Sequence, residues 1–191
     1  MKDTKVEIYN QAKSLFSQKG FKAASIANIT KMAGIGVGTF YNFYGSKEEI
    51  FFEICLRENL ELKKKIMNDI DLEEDPVEVL KEVVTKLFDG MRQNPILKEW
   101  YNRDTFYKIL EKIGREKVEE DGEDFFYNFF LDIIEKWQVE GKIRRDIESD
   151  QIITLFNALS FVELHKEEIG NKYFPETMVY LVEFIAKGLK G

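Results

Sequence analysis

Thiols, imidazoles and long apolar runs are nearly absent from this chain of 191 residues. Its one cysteine, Cys55, excludes an intrachain disulfide and any zinc site built from several thiolates. Its one histidine, His165, has no second imidazole with which to share a metal. Cys55 falls on an apolar face of its helix and reads as inert core packing. No stretch approaches the roughly 18 apolar residues of a membrane span, so no membrane partner is expected. The opening residues, Met-Lys-Asp-Thr-Lys-Val-Glu, lack the apolar centre of a signal peptide, and the chain is expected in the cytoplasm. Strand-like alternation, internal repeats and low-complexity segments are missing too, which leaves an all-α class. A nucleophile motif, a phosphate-binding loop and a metal cluster are likewise missing. Glu163, Glu167 and Glu168 near His165 are carboxylates that an acid–base enzyme could use. No motif joins them, and neither an enzyme nor a cofactor is expected.

Charge is unevenly spread. The whole chain carries −7, which argues against a general nucleic-acid binder. The first 50 residues hold seven lysines against four carboxylates and no arginine, a net of +3, which leaves −10 for the remainder. A mildly basic head on an acidic body can approach DNA with one end only. Hydrophobic residues at 44% and charged residues at 33% fit a globular protein. The acidic run Glu73-Glu74-Asp75 reads as a solvated loop.

Residues 25–47 carry the most specific pattern. A first helix is expected over about 3–19, with Ile8, Ala12, Leu15 and Phe16 on one face. Gly20 suits the left-handed position after its end, and Phe21 is placed to fold back on Phe16. Ser25 is a good N-cap for a second helix, whose Ile26, Ile29 and Ala33 point inward together. Gly34 ends it. A short third helix follows over about 37–44, with Phe40 and Tyr44 facing the core. Gly38 inside that helix costs about 1 kcal/mol relative to alanine, and close approach of the backbone to another surface is one reason to keep it. Ser46-Lys47-Glu48-Glu49 is a capping box that opens a fourth helix. Its start suits a phosphate oxygen. This is how a chain presents one helix to the major groove of DNA. Spacing alone is equally compatible with an ordinary helix–glycine–helix segment in which Tyr41 and Phe43 are core residues.

Residues 8–51 closely resemble the DNA-binding domain of TetR-family transcriptional regulators. The run Ile29-Thr30-Lys31-Met32-Ala33-Gly34-Ile35-Gly36-Val37-Gly38-Thr39-Phe40-Tyr41-Asn42-Phe43-Tyr44-Gly45-Ser46-Lys47-Glu48-Glu49-Ile50 keeps that family's spacing without gaps. The resemblance implies that Tyr41 and Lys47, with Ser25, meet phosphates, and that Val37, Gly38, Thr39 and Asn42 lie nearest base edges. The segment Val37–Phe43 would then lie in the groove. The chain departs from the pattern at Thr30, where alanine is usual, at Gly36, where a capping hydroxyl is usual, and at Val37, where a long polar side chain is frequent. The reading face has no arginine or lysine for guanine O6 and N7, the commonest specific contact. Val37 and Thr39 methyl groups suit thymine and Asn42 suits adenine, so an A·T-rich half-site is expected.

The rest of the chain reads as helices with short breaks, about nine in all. The fourth runs over about 47–67. Pro76 and Pro95 open the fifth and sixth, and Gly114 and Gly122 interrupt the next stretch. A long helix follows over about 123–140 with Gly141 after it. Ser149 or Asp150 caps a helix to about Ile169, and Pro175 opens the last. The domains are expected at 1–46, a three-helix DNA-binding head, and 47–191, a helical ligand-binding and dimerisation body. The last two helices carry the stripes Leu155, Leu159, Val162 and Met178, Leu181, Val182, Ile185. Both stripes suit either the monomer's own core or a two-fold interface. TetR-family regulators dimerise through their last two helices, so the resemblance implies the interface. Aromatic residues crowd the body, and mostly apolar pockets between helices are usual small-molecule sites. Packing in an aromatic core explains any one of them as well. The resemblance implies a pocket, for which Trp100, Tyr101, Phe106, Phe126, Phe130 and Phe156 are the candidate lining. The expectation is a ligand-responsive dimeric regulator, a repressor, whose partners are a palindromic operator in double-stranded DNA, a small-molecule effector and a second copy of itself. The alternative is a protein-interaction or lipid-carrying module whose helix-turn-helix does not bind DNA.

Overall fold

The computed structural model describes residues 4–114, 125–174 and 176–190, without the side chains of 125, 126 and 171. The Phe126 side chain, Gly122 and Pro175 therefore lie outside the described residues. Among those described there are eleven α-helices, one 3-10 turn and no strand. The helices are α1 Thr4–Ala23, α2 Ile26–Ala33, α3 Val37–Tyr41, α4 Lys47–Asp69, α5 Pro76–Gln93, α6 Pro95–Trp100, α7 Arg103–Ile113, α8 Phe125–Val139, α9 Ser149–Leu164, α10 Lys166–Ile169 and α11 Glu176–Gly188, with the 3-10 turn at Asn171–Tyr173. Among the described residues no helix is long and apolar enough to cross a membrane.

Two expected helices are each split in the structure, which accounts for eleven in place of about nine. The helix opened by Pro95 ends at Trp100, because Asn102 caps a new one: its Oδ1 accepts the Thr105 N–H at 3.2 Å. The helix expected to reach Ile169 ends at Leu164, where His165 leaves helical geometry at φ −103° and ψ 19°. Neither Ser149 nor Asp150 is its N-cap, since Ser149 is already the first helical residue. Glu148 holds the cap position, and the Ser149 hydroxyl donates instead to Gln138 Oε1 at 2.8 Å. Pro76 and Pro95 open α5 and α6 as expected. Pro95 sits in the first turn of α6, and Asn94 Oδ1 accepts from Ile96 N and Leu97 N at 2.9 and 3.2 Å.

The described chain forms two compact units. One draws on residues 1–61 and 91–122, the other on 62–90 and 123–191. The end of the helix-turn-helix at 46 is thus not the edge of the first unit, which also takes most of α4 with α6 and α7. In this unit Ile8, Ala12, Leu15 and Phe16 of α1 meet Ile29, Phe40, Tyr44, Phe51, Ile54 and Ile109 in one apolar cluster. Burying a side chain of this size is worth about 1.5–3 kcal/mol. Cys55 belongs to the same cluster, and burial pushes its thiol well above the usual range, as inert packing requires. Trp100 stacks on Phe52 at 5.7 Å and meets Phe106 edge-on at 5.1 Å. The second unit has its own cluster around Trp137, with Val79, Leu80, Phe130, Ile134, Ile152 and Ala186. Its connector from α8 to α9 is held by Gln138, whose Nε2 donates to the carbonyls of Arg144 and Ile147 at 3.0 and 2.8 Å.

Candidate nucleic-acid interface

Local chemistry sets each boundary of the helix-turn-helix. α1 is broken at Gly20, whose φ of 75° and ψ of 170° lie outside the helical range. Phe21 then packs on Phe16, with ring centroids 6.1 Å apart. Ser25 Oγ accepts the Asn28 N–H at 3.2 Å and starts α2. Thr30, one of the departures from the family pattern, is buried, and its hydroxyl is satisfied by the carbonyls of Ile26 and Ala27 at 3.0 and 3.1 Å. Such back-bonding lets a polar side chain sit inside without stranding a donor. Gly34 takes the left-handed conformation at φ 69° and ψ 31° and turns the chain into α3. Gly36 precedes α3 with no side-chain cap.

α3 is shorter than the expected 37–44 and ends at Tyr41. The bend continues, since the N–H groups of Phe43 and Tyr44 both reach the Phe40 carbonyl at 3.0 Å. Phe40 and Tyr44 are buried as expected. The other face of this segment is open. Val37, Tyr41 and Phe43 are 46, 55 and 39% exposed, which a core role for Tyr41 or Phe43 does not allow. Gly36, Gly38 and Asn42 are exposed and Thr39 is half-buried. A Cβ built on Gly38 would meet no atom within 4 Å. Nothing within the described residues requires glycine there. Met32 on α2, absent from the expected set, is 41% exposed. Its sequence signal was its position off the Ile26–Ile29–Ala33 stripe.

The start of α4 is fastened on two sides. Glu49 N donates to Ser46 Oγ at 3.1 Å, the first half of the capping box. The second half reaches one residue further back than expected, with Glu49 Oε2 accepting from Gly45 N at 2.7 Å. Lys47 does not extend into solvent. Its ammonium donates to the carbonyls of Phe21 and Ala24 at 2.8 and 2.9 Å and lies 4.2 Å from the centroid of the Phe21 ring. Burial, and after it repulsion from Lys108, lowers its affinity for a proton.

The other expected site residues divide between the two units. Trp100, Tyr101 and Phe106 belong to the first, Phe130 and Phe156 to the second. Phe130 and Phe156 share the second unit's apolar cluster. Of the expected interface stripe, Leu159, Met178 and Val182 are 3, 3 and 4% exposed. These three are corrected to core residues, because the faces of α9 and α11 that carry them turn inward. Val162, Leu181 and Ile185 are half-buried, and Leu155 is exposed. The large apolar side chains left outside on these helices are Phe161, Val179, Tyr180 and Phe184, at 61, 52, 57 and 67%. Tyr180 and Phe184 stack at 6.2 Å. Their signal was a second apolar strip on α11 beside the one chosen. Among the described residues no group of three or more His, Cys, Asp or Glu side chains is placed to hold a metal.

Residues 8–54 match the family model described as bacterial regulatory proteins of the tetR family. YhgD, an HTH-type transcriptional regulator of Bacillus subtilis, is 40% identical over 63 residues, which cover 33% of each chain. The HTH-type transcriptional repressor KstR2 of Mycolicibacterium smegmatis is 23% identical over 177 residues, 87% of this chain and 85% of that one. Among solved structures, FadR of Thermus thermophilus, a TetR-family repressor in complex with lauroyl-CoA, shares the fold with a TM-score of 0.68 at 21% identity, covering 96% of this chain and 91% of that one. The turn, the caps and the open face of α3 are thus those of a known helix-turn-helix: residues 8–54 carry the tetR-family pattern, and the chain shares its fold with solved TetR-family regulators.

Proposed function

We propose that the protein is a dimeric, ligand-responsive transcriptional repressor that binds a palindromic operator in bacterial cytoplasm. One observation carries the DNA reading: an apolar and glycine face on α3 that is left open and has no internal use. Each subunit places Val37–Phe43 in a major groove, the two centres about 34–36 Å apart. Tyr41, Ser25 and the backbone N–H groups at the start of α4 meet phosphates, which fix register without reading sequence. Phe161, Val179, Tyr180 and Phe184, with Leu155, cover their copies across a two-fold axis, and a two-fold protein reads a palindrome. FadR, solved with lauroyl-CoA, supports an effector in the helical body with at least one long apolar part, the acyl chain of that ligand. The effector releases DNA by favouring a dimer with wrongly spaced heads, and it does so only through its differential affinity for the two shapes. α4 belongs to both units, residues up to 61 in one and from 62 in the other, so it is the element through which the two states communicate.

Gel shifts against the chain's own upstream DNA test the reading. Tight, salt-sensitive, site-specific binding supports it, and its absence favours the interaction or carrier module. Asn42→Ala should weaken binding to the preferred site by about 1–3 kcal/mol and leave random duplex little changed. Equal loss on both overturns the assignment of Asn42 to a base edge. With no cation on the open face of α3, selection from random duplexes should return A·T-rich half-sites; G·C-rich half-sites contradict the thymine and adenine contacts.

A further inference from the structure

We propose that Lys47 is a positioning residue which clasps α4 to the joint between α1 and α2, and that it makes no phosphate contact. The inference rests on the DNA-binding reading above and reassigns one residue of it. The last carbonyls of α1, which ends at Ala23, and those of the link into α2 have no helical partners, and such groups need donors. Lys47 supplies them, donating to Phe21 O at 2.8 Å and Ala24 O at 2.9 Å. These two carbonyls flank the link into Ser25, the residue that caps α2. The ammonium also lies over Phe21, whose ring packs 4.7 Å from that of Phe51 on α4. Two residues further along α4, Glu49 holds Gly45 in the loop from α3. The start of α4 is therefore tied to both ends of the α2–α3 pair, and the reading helix moves with α4 as one body. An ammonium drawn out to a phosphate would strand two carbonyls. Two of the three ammonium N–H groups are engaged by these carbonyls, and the partly buried site disfavours the charged form that a phosphate would favour.

Two variants decide the matter. Lys47→Met keeps the stem against Phe21 and removes the donors; Lys47→Arg keeps the charge and replaces the compact ammonium with a planar fork. Operator affinity, affinity for random duplex, the slope of log affinity against log salt, and the thermal midpoint of the free protein are measured for each. The clasp predicts that Lys47→Met lowers the midpoint and weakens operator binding about tenfold, while random-duplex binding and the salt slope hold. It also predicts that Lys47→Arg does not restore the operator. A direct role at a phosphate predicts a slope shallower by about 0.9 for every phosphate no longer neutralised, equal weakening on both DNAs, and wild-type binding by Lys47→Arg; any of these overturns the proposal. If Lys47→Met fails to fold, the arginine variant alone decides. If the wild type binds no DNA, the regulator reading falls, and an unchanged midpoint in Lys47→Met still overturns the clasp.

Discussion

Replacing Gly38 with leucine is expected to abolish operator binding while leaving the free protein at least as stable as the wild type. A side chain at this position meets open space, and the backbone there is not in the left-handed region. Leucine is the better helix former by about 0.8 kcal/mol, so the thermal midpoint should hold or rise. Against DNA the same side chain fills the gap through which the backbone of α3 approaches. Overpacking of a close contact costs about 1–3 kcal/mol, and a two-fold complex suffers it twice. The expected loss is on the order of a hundredfold or more. Thermal melts and gel shifts on G38L check both signs at once. Full-strength binding with an intact midpoint would remove the reason for placing residues 37–43 in the groove.

Phe184→Asp is expected to convert the proposed dimer to a monomer. Phe184 is the most exposed large apolar residue on α11, and it lies stacked on Tyr180. An uncompensated charge buried in an interface costs about 3–5 kcal/mol, and the two-fold axis brings a second one with it. Light scattering after size exclusion should show half the wild-type mass. Affinity for a full palindrome should fall to that for a half-site. A dimeric F184D, or a monomeric wild type, contradicts the interface. The same substitution leaves the second unit's core unchanged, because Met178, Val182 and Ala186 on the inward face of α11 are not altered.

The helix-turn-helix was legible because its boundaries depend on chemistry within three or four residues. Ser25 finds its donor at Asn28, Gly34 turns within its own φ and ψ, and Ser46 finds Glu49. Where a group's partner is remote, local spacing failed. Lys47 reaches carbonyls 26 and 23 residues away, and nothing in Ser-Lys-Glu-Glu announces them. The inward turn of Leu159, Met178 and Val182 was hidden for a different reason. α11 carries one strip at Met178, Val182 and Ala186 and another at Val179, Tyr180 and Phe184. Both are apolar at helical spacing, so periodicity could not say which turns inward. The splits at Asn102 and His165 lay hidden for a third reason. Asn102 was an available cap inside an apolar pattern that ran on through it, and His165 has no propensity strong enough to mark a break.

The two tryptophans of this chain fall one to each compact unit, Trp100 against Phe52 in the first and Trp137 deep in the second. Each half of the molecule thus contains its own intrinsic fluorophore. A phenylalanine at either position leaves tryptophan emission, excited selectively over the tyrosines, from a single unit, and a denaturant titration of the two variants reads out whether the halves melt together or in sequence.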